Sequence, residues 1–161
     1  MIAGSAAGER HRTAFAAAAA IVVAIDQGTK HWALNALDDG PIDLIGSLRL
    51  KLVFNDGAAF SLGSGRSSLI AVVGIAVAAY LAHLGWRADR RRWAVGLGVL
   101  LGGALGNLID RAVRAGDGAL GGHVVDFVDL GWWPVFNVAD AALWVGIGLL
   151  LLDSARDGRS S

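Results

Sequence analysis

The sequence predicts an all-α membrane protein with four transmembrane helices and a small strand-forming segment outside the membrane. Of its 161 residues, 55% are apolar and 17% are charged, whereas soluble domains usually carry about a quarter charged residues. The mean hydropathy is +0.54, and four long apolar stretches are spaced along the chain. Each stretch approaches the ~20 residues that a helix needs to cross ~30 Å of hydrocarbon.

The predicted helices cover residues 13–37, 68–86, 93–109 and 135–152, and longer loops at 38–67 and 110–134 connect them. The first apolar stretch follows two arginines, as in a signal peptide. No small-x-small cleavage site follows it and apolar residues resume at Trp32, so we expect a retained helix. The tail after Asp153 is expected to be disordered. We expect residues 1–161 to form a single integral membrane domain.

The arginines predict the orientation of the helices. The loop Arg87-Ala-Asp-Arg-Arg-Arg92 holds four arginines in six residues, and loops rich in Lys and Arg stay cytoplasmic. Both termini are then cytoplasmic, and the two longer loops lie outside. In the first of these, residues 42–54 place Leu48, Leu50 and Leu52 at a period of two, which predicts strands outside or at the membrane surface.

Polar residues gather at the outer face that this topology defines. Charges within membrane helices are costly, so a convergent set of them indicates a site. The set comprises Asp26, Lys30, Asn107, Asp110, Arg111, Asp126, Asp129, Asn137 and Asp140.

Asp126 and Asp140 are the candidate catalytic residues. Two carboxylates held within ~3 Å share one proton, because both cannot ionise at that distance. Such a pair can deprotonate a water molecule and protonate a peptide carbonyl, which is hydrolysis without a covalent intermediate. Spacing alone leaves a second interpretation open, in which Asp140 caps the fourth helix and Asp126 is a solvated loop residue.

The other motifs also allow two interpretations. Asn55-Asp-Gly57 could bring a backbone close to a ligand or could form an ordinary turn. Arg111 could hold a carboxylate or answer the helix dipole. Asp26 and Lys30, four residues apart, could be no more than an intrahelical ion pair. The small residues of Gly102-Gly-Ala-Leu-Gly106 indicate tight helix packing.

Composition excludes several other kinds of site. The 14 basic and 14 acidic residues balance, so no basic surface indicates nucleic acid. The absence of cysteine excludes thiolate chemistry. Only His123 lies near the acidic pair in sequence, so we expect no metal, and no cofactor is implied. No Gly-x-Ser-x-Gly elbow is present.

Five motifs together resemble the lipoprotein signal peptidase family, the bacterial type II signal peptidases, over residues 13–152. They are Asp26-Gln-Gly-Thr-Lys30, Asn55-Asp-Gly-Ala-Ala-Phe60, Gly102-Gly-Ala-Leu-Gly-Asn-Leu-Ile-Asp-Arg111, Val124-Val-Asp-Phe127 and Phe136-Asn-Val-Ala-Asp140.

The resemblance implies an aspartic endopeptidase of the bacterial inner membrane. Such enzymes cut the signal peptide from a prolipoprotein just before a diacylglyceryl-modified cysteine, and the cyclic peptide globomycin inhibits them. The resemblance implies that Asp126 and Asp140 are the catalytic pair. It also implies that the strand-forming segment is a small β-cradle on the membrane. Residues implied to bind substrate or support the pair are Asn55, Gly57, Asn107, Arg111 and Asn137. Residues implied to be structural are Asp26, Lys30 and Asp110.

Two other functions are compatible with membrane aspartates. A small transporter or proton relay would distribute polar residues through the membrane to form a path, whereas here they collect on one side. An assembly factor would use the aspartates only to stabilise helix ends, so that replacing them would reduce stability first.

Overall fold

The computed structural model describes residues 2–56, 67–114 and 120–158, which form four helices and a three-stranded sheet. The helices are α1 (Ile2–Ala36), α2 (Ser67–Trp86), α3 (Arg91–Val113) and α4 (Val138–Asp157). The strands are β1 (Ile42–Ile45) and β2 (Leu48–Asn55), which follow α1, and β3 (Val124–Asp129), which lies between α3 and α4. The chain is therefore mostly helical with a small sheet, as predicted.

Three of the helices, α2, α3 and α4, are long and apolar enough to cross a membrane. In the described part of the chain, α1 does not meet the same criterion. Large apolar side chains on the outer faces of α2 and α4 are more than half exposed, among them Val72, Tyr80 and Leu151. Such a surface suits hydrocarbon better than water.

The predicted helix ends were displaced, because apolar runs mark the membrane-spanning part of a helix rather than its ends. α1 begins at Ile2, since the alanines, glutamate and arginines before residue 13 are good helix formers. α3 continues through Asp110 and Arg111 to Val113. The expectation of disorder after Asp153 was wrong for the last turn of α4, which ends at Asp157.

Helix α3 lies at the centre of the bundle, and glycines let its neighbours approach. A Cβ atom at Gly102 would lie 2.6 Å from Val22 Cβ of α1, and one at Gly103 would lie 2.6 Å from the Ala139 carbonyl oxygen of α4. Both distances are too short for real side chains. The predicted packing role of these glycines is therefore confirmed.

The sheet is antiparallel in the order β1-β2-β3. The strands predicted from Leu48, Leu50 and Leu52 are confirmed as β2. The prediction of a loop over 110–134 was wrong at residues 124–129, which form β3 and pair with β2. β3 was missed because it is buried almost throughout, so its sequence lacks the alternation that marks a half-exposed strand. The sheet packs through Phe127 on Ala33 and Leu37, near the end of α1.

Candidate active site

Asp126 and Asp140 come from different elements and meet at one asparagine. Asp126 lies on β3 and is 1% exposed, and Asp140 lies in the first turn of α4. Asn137 Nδ2 donates to Asp126 Oδ1 at 2.7 Å. Asn137 Oδ1 accepts from the backbone N–H of Asp140 at 2.9 Å, and the Asn137 backbone N–H donates to Asp140 Oδ2 at 3.2 Å.

The contacts between Asn137 and Asp140 form a capping box at the start of α4. Of the two interpretations of Asp140, the capping role is therefore present. The same asparagine also binds Asp126, so capping and assembly of the acidic pair occur together. The suggestion that Asp126 is a solvated loop residue was wrong, because it is a buried strand residue.

Two further asparagines bind the remaining carboxylate oxygens. Asn55 Nδ2, at the end of β2, donates to Asp126 Oδ2 at 2.9 Å. Asn107 Nδ2, on α3, donates to Asp140 Oδ1 at 2.8 Å. Each oxygen of the two aspartates thus accepts an N–H donor, which fixes both carboxylates in orientation.

Burial raises the pKa of Asp126 from its ordinary value of 3.8 to about 6. The negative charge of Asp140 raises this pKa as well, whereas the hydrogen bonds from Asn55 and Asn137 lower it. Both carboxylates contact Asn137, which brings them close enough for this electrostatic effect. Asp126 can therefore hold a proton at a pH where an exposed aspartate cannot.

A buried lysine organises the residues beneath the pair. Lys30 Nζ lies 2.9 Å from Asp26 Oδ2 and 2.9 Å from Asp110 Oδ2, and all three side chains are fully buried. Asp26 and Lys30 do form an ion pair, but the interpretation that they form no more than an intrahelical pair was wrong, because Lys30 also pairs with Asp110 of α3. Lys30 Nζ also donates to Asn107 Oδ1 at 3.0 Å, so the lysine contacts the asparagine that binds Asp140.

Asp26 and Asp110 each fix the backbone next to one member of the pair. Asp26 Oδ1 accepts from the N–H of Ala139 at 2.9 Å, one residue before Asp140. Asp110 Oδ2 accepts from the N–H of Val125 at 3.0 Å, one residue before Asp126. Their structural role is therefore local to the site.

The remaining candidate residues stand at the edge of the site. Arg111 is buried, donates from Nη1 to the Gly122 carbonyl oxygen at 3.4 Å, and interacts electrostatically with Asp126. Asp129 instead forms an ion pair on the sheet, with its Oδ2 atom 2.7 Å from Arg49 Nε. This contact lowers the pKa of Asp129. Gly57 lies outside the described residues.

The sequence interpretation missed Gln27 as a member of the site. Its Nε2 atom donates to Asp26 Oδ2 at 3.1 Å, to the Gly106 carbonyl oxygen at 3.1 Å and to Asp110 Oδ1 at 3.2 Å. A glutamine inside an apolar helix, beside Asp26, was a signal that could have identified it. Within the described ranges, no three His, Asp or Glu side chains are placed to share a metal ion.

A groove of about 850 Å³ opens beside Asp140. Asn55 and Asp140 contribute polar atoms to its wall, and the rest is mainly apolar. Among the apolar residues are Trp132, Trp133 and Trp144, which are between about half and three-quarters exposed. Tryptophan favours the membrane–water interface, so the groove can receive an apolar chain from the bilayer next to the aspartates.

Residues 18–156 match the family described as Signal peptidase (SPase) II. The chain is 47% identical over 136 residues to the lipoprotein signal peptidase of Rhodococcus jostii (strain RHA1), a match covering 83% of this chain and 68% of that protein. The lipoprotein signal peptidase of Mycobacterium avium (strain 104) is also 47% identical, with coverages of 83% and 74%.

The fold is similar to a solved structure described as "Bacterial membrane enzyme structure by the in meso method at 1.9 A resolution". The TM-score is 0.74 at 30% sequence identity, and the match covers 87% of this chain and 91% of the other.

Proposed function

The chain belongs to the signal peptidase II family, and we propose that it removes the signal peptide from diacylglyceryl-modified prolipoproteins by aspartic hydrolysis just before the lipidated cysteine. Family membership, together with the apolar helices, makes it an integral membrane protease that processes lipoproteins. The chemistry and the residues that perform it are the further step.

The observation that carries this mechanism is the contact of Asn137 with both Asp126 and Asp140. One carboxylate removes a proton from a water molecule, whose oxygen attacks the peptide carbonyl carbon. The other carboxyl gives its proton to the carbonyl oxygen. The tetrahedral intermediate then collapses as the C–N bond breaks: the departing nitrogen takes the proton that the first carboxylate removed from water, and a hydroxyl of the intermediate gives its proton to the second carboxylate, so the pair again holds one proton. The raised pKa of Asp126 supports a pair that holds one proton at rest.

The neighbouring polar residues support the pair in this proposal. Asn55, Asn107 and Asn137 hold the carboxylates in place, and Arg111 contributes positive charge near Asp126. Gly57 follows the end of β2 in sequence and remains a candidate for contact with substrate. Asp26, Lys30 and Asp110 act from beneath, through Asn107 and the backbone.

We place the substrate in the apolar groove beside Asp140. The acyl chains and the signal helix of a lipidated precursor already lie in the bilayer, so substrate needs no aqueous entry path and the product leaves sideways into lipid. An apolar cyclic peptide of the globomycin type would compete for the same groove.

For the topology, we propose four membrane spans, with α1 as the first, both termini cytoplasmic and the aspartates on the outer face of the bacterial inner membrane. The single domain then covers residues 1–161. Support for α1 comes from its close packing on α3, where a Cβ atom at Gly98 would lie 2.4 Å from the Phe15 carbonyl oxygen. Lys30 and Asp26 are completely buried and so shielded from lipid. A membrane-spanning α1 would therefore not expose these charges to hydrocarbon, which is the main cost of charged residues in a span.

The decisive experiment replaces Asp126 or Asp140 with Asn and follows cleavage of a lipidated precursor in proteoliposomes, with the amount of folded protein measured in parallel. Both variants should accumulate normally and lose cleavage. Asp129→Asn is the matched control, because this aspartate lies on the same strand but pairs with Arg49, and it should cleave normally. Normal cleavage by both Asp126→Asn and Asp140→Asn would refute the mechanism. Loss of folded protein before loss of cleavage would favour the assembly-factor interpretation.

A further inference from the structure

A second groove, of about 420 Å³, lies at the end of the bundle opposite Asp126 and Asp140. It runs between the start of α3 and the end of α4. Three aliphatic residues, Val95, Leu149 and Leu152, line it together with three arginines and one aspartate. The arginines are Arg91, Arg92 and Arg156, and the aspartate is Asp153. We propose that this groove binds one anionic phospholipid, with the phosphate at the arginines and an acyl chain along the aliphatic residues.

The position along the helix fits the boundary between headgroups and hydrocarbon. Arg92 and Asn107 both lie on α3, 15 residues apart in sequence; at 1.5 Å per residue this is about 22 Å along the helix axis. The arginines thus reach the opposite interface of a bilayer whose other interface lies near the aspartates. Leu149 and Leu152 are 39% and 60% exposed, so an acyl chain can cover them.

The charges of the groove favour a phosphate. Its lining carries two more positive than negative charges, and guanidinium groups bind phosphate oxygens in pairs. The N-terminus of α3 adds its positive dipole end, with no acidic residue in the first turn and no capping hydrogen bond from the side chain of the N-cap residue Arg90. Arg90 itself pairs with Asp157, so the proposal rests on Arg91 and Arg92 beside the aliphatic wall.

A lipid fits this groove better than a free phosphate ion does. A small anion would leave the aliphatic half of the groove unused, and a zwitterionic lipid such as phosphatidylcholine would bring a cation as well as a phosphate to Arg91 and Arg92. Basic pockets between transmembrane helices at the cytoplasmic side are a recognised type of anionic lipid site. The proposal concerns the end of the bundle away from the aspartates, so it holds or fails independently of the proposed chemistry.

The test measures lipid retention by native mass spectrometry on the full chain, released from detergent with phosphatidylglycerol or phosphatidylcholine. The unsubstituted protein should retain phosphatidylglycerol preferentially. Arg91→Gln/Arg92→Gln should weaken that binding roughly 25-fold, since each basic residue near an anionic lipid contributes about 5-fold. Arg91→Lys/Arg92→Lys keeps the charge and should retain most of the preference.

The matched control is Arg10→Gln/Arg87→Gln, which removes the same charge from exposed residues outside the groove and should bind phosphatidylglycerol normally. Equal retention of the two lipids by the unsubstituted protein would overturn the proposal without any variant. Equal weakening of phosphatidylglycerol binding in both double Gln variants would show that only net charge matters and would overturn the proposed groove site. Inorganic phosphate that raises the melting temperature as much as phosphatidylglycerol would show a simple anion site and would also overturn it.

Discussion

Lys30 Nζ donates to Asn107 Oδ1 at 3.0 Å, and this contact determines which way the Asn107 amide faces. The same oxygen accepts from Asn137 Nδ2 at 3.1 Å, which leaves the Asn107 Nδ2 group to donate to Asp140. A buried cation that touches neither aspartate of the pair therefore orients a donor to one of them.

Lys30→Met should reduce both stability and cleavage. It leaves Asp26 and Asp110 buried without their shared cation, which typically costs about 3–5 kcal/mol. The free energy of unfolding, measured by denaturation in mixed micelles, should fall by that amount.

The double variant Lys30→Met/Asp26→Asn separates the two effects. It removes the carboxylate of Asp26, while Asp110 Oδ1 still lies 3.0 Å from Arg114 Nε in an ion pair. The double variant should therefore be more stable than Lys30→Met alone. Cleavage per folded molecule should stay low because Asn107 is no longer oriented. Recovery of both together would contradict the positioning role.

Asn137→Ser should separate helix capping from support of the pair. Serine caps helices about as well as asparagine, but its hydroxyl is too short to replace the amide that reaches Asp126. We expect stability within about 1 kcal/mol of the original and a cleavage rate lower by roughly 10- to 100-fold, as for loss of one hydrogen bond to a charged group. If the cleavage rate falls only in proportion to the amount of folded protein, helix capping is the sole role of Asn137.

Asp126→Asn should stabilise the protein in a pH-dependent way. The folded-state pKa of Asp126, about 6, lies above its ordinary value of 3.8, so the folded state binds the proton more tightly than the unfolded state. Stability is therefore lost as the pH rises from about 4 to 6, and the whole cost, at most about 3 kcal/mol, applies above pH 6. The variant has no such group, so its advantage should be greatest at neutral pH.

Melting temperatures of both proteins between pH 4 and pH 8 test the sign of this effect. The difference between them should grow as the pH rises from about 4 to about 6 and level off above that. A constant difference would mean that Asp126 titrates like an exposed aspartate. The infrared band of the protonated carboxyl should also disappear near pH 6, and only in the protein that retains Asp126.

Gly106→Ala should destabilise the site more than its small size suggests. A Cβ atom there would lie 2.5 Å from Asp26 Oδ2, so the ion cluster or α3 must move, at a cost of about 1–3 kcal/mol. Gly28→Ala is the matched control on α1, because a Cβ atom at Gly28 meets nothing within 4 Å. It should stabilise the helix by about 0.5–1 kcal/mol. Thermal melting of the two variants should show shifts of opposite sign.

The sequence by itself determined the helical character and the strand β2, and it singled out Asp126 and Asp140 as a candidate pair. Both structural predictions came from local patterns. The thickness of a bilayer sets the length of an apolar run in a membrane helix, and the pleat of a strand sets the period of two seen at Leu48, Leu50 and Leu52. Spacing left catalysis and capping open for this pair, and the family resemblance implied catalysis.

Only the tertiary structure decided how these residues act on one another. β3 was hidden because burial on both faces removes alternation, and the helix ends were displaced because buried charges such as Asp110 find partners inside the bundle and need not end a helix. Each asparagine of the site contacts a carboxylate on another element of the fold, as Asn107 of α3 does with Asp140 of α4. Such pairings depend on which faces the glycines of α3 allow to approach, and that geometry is not encoded in any local stretch of sequence.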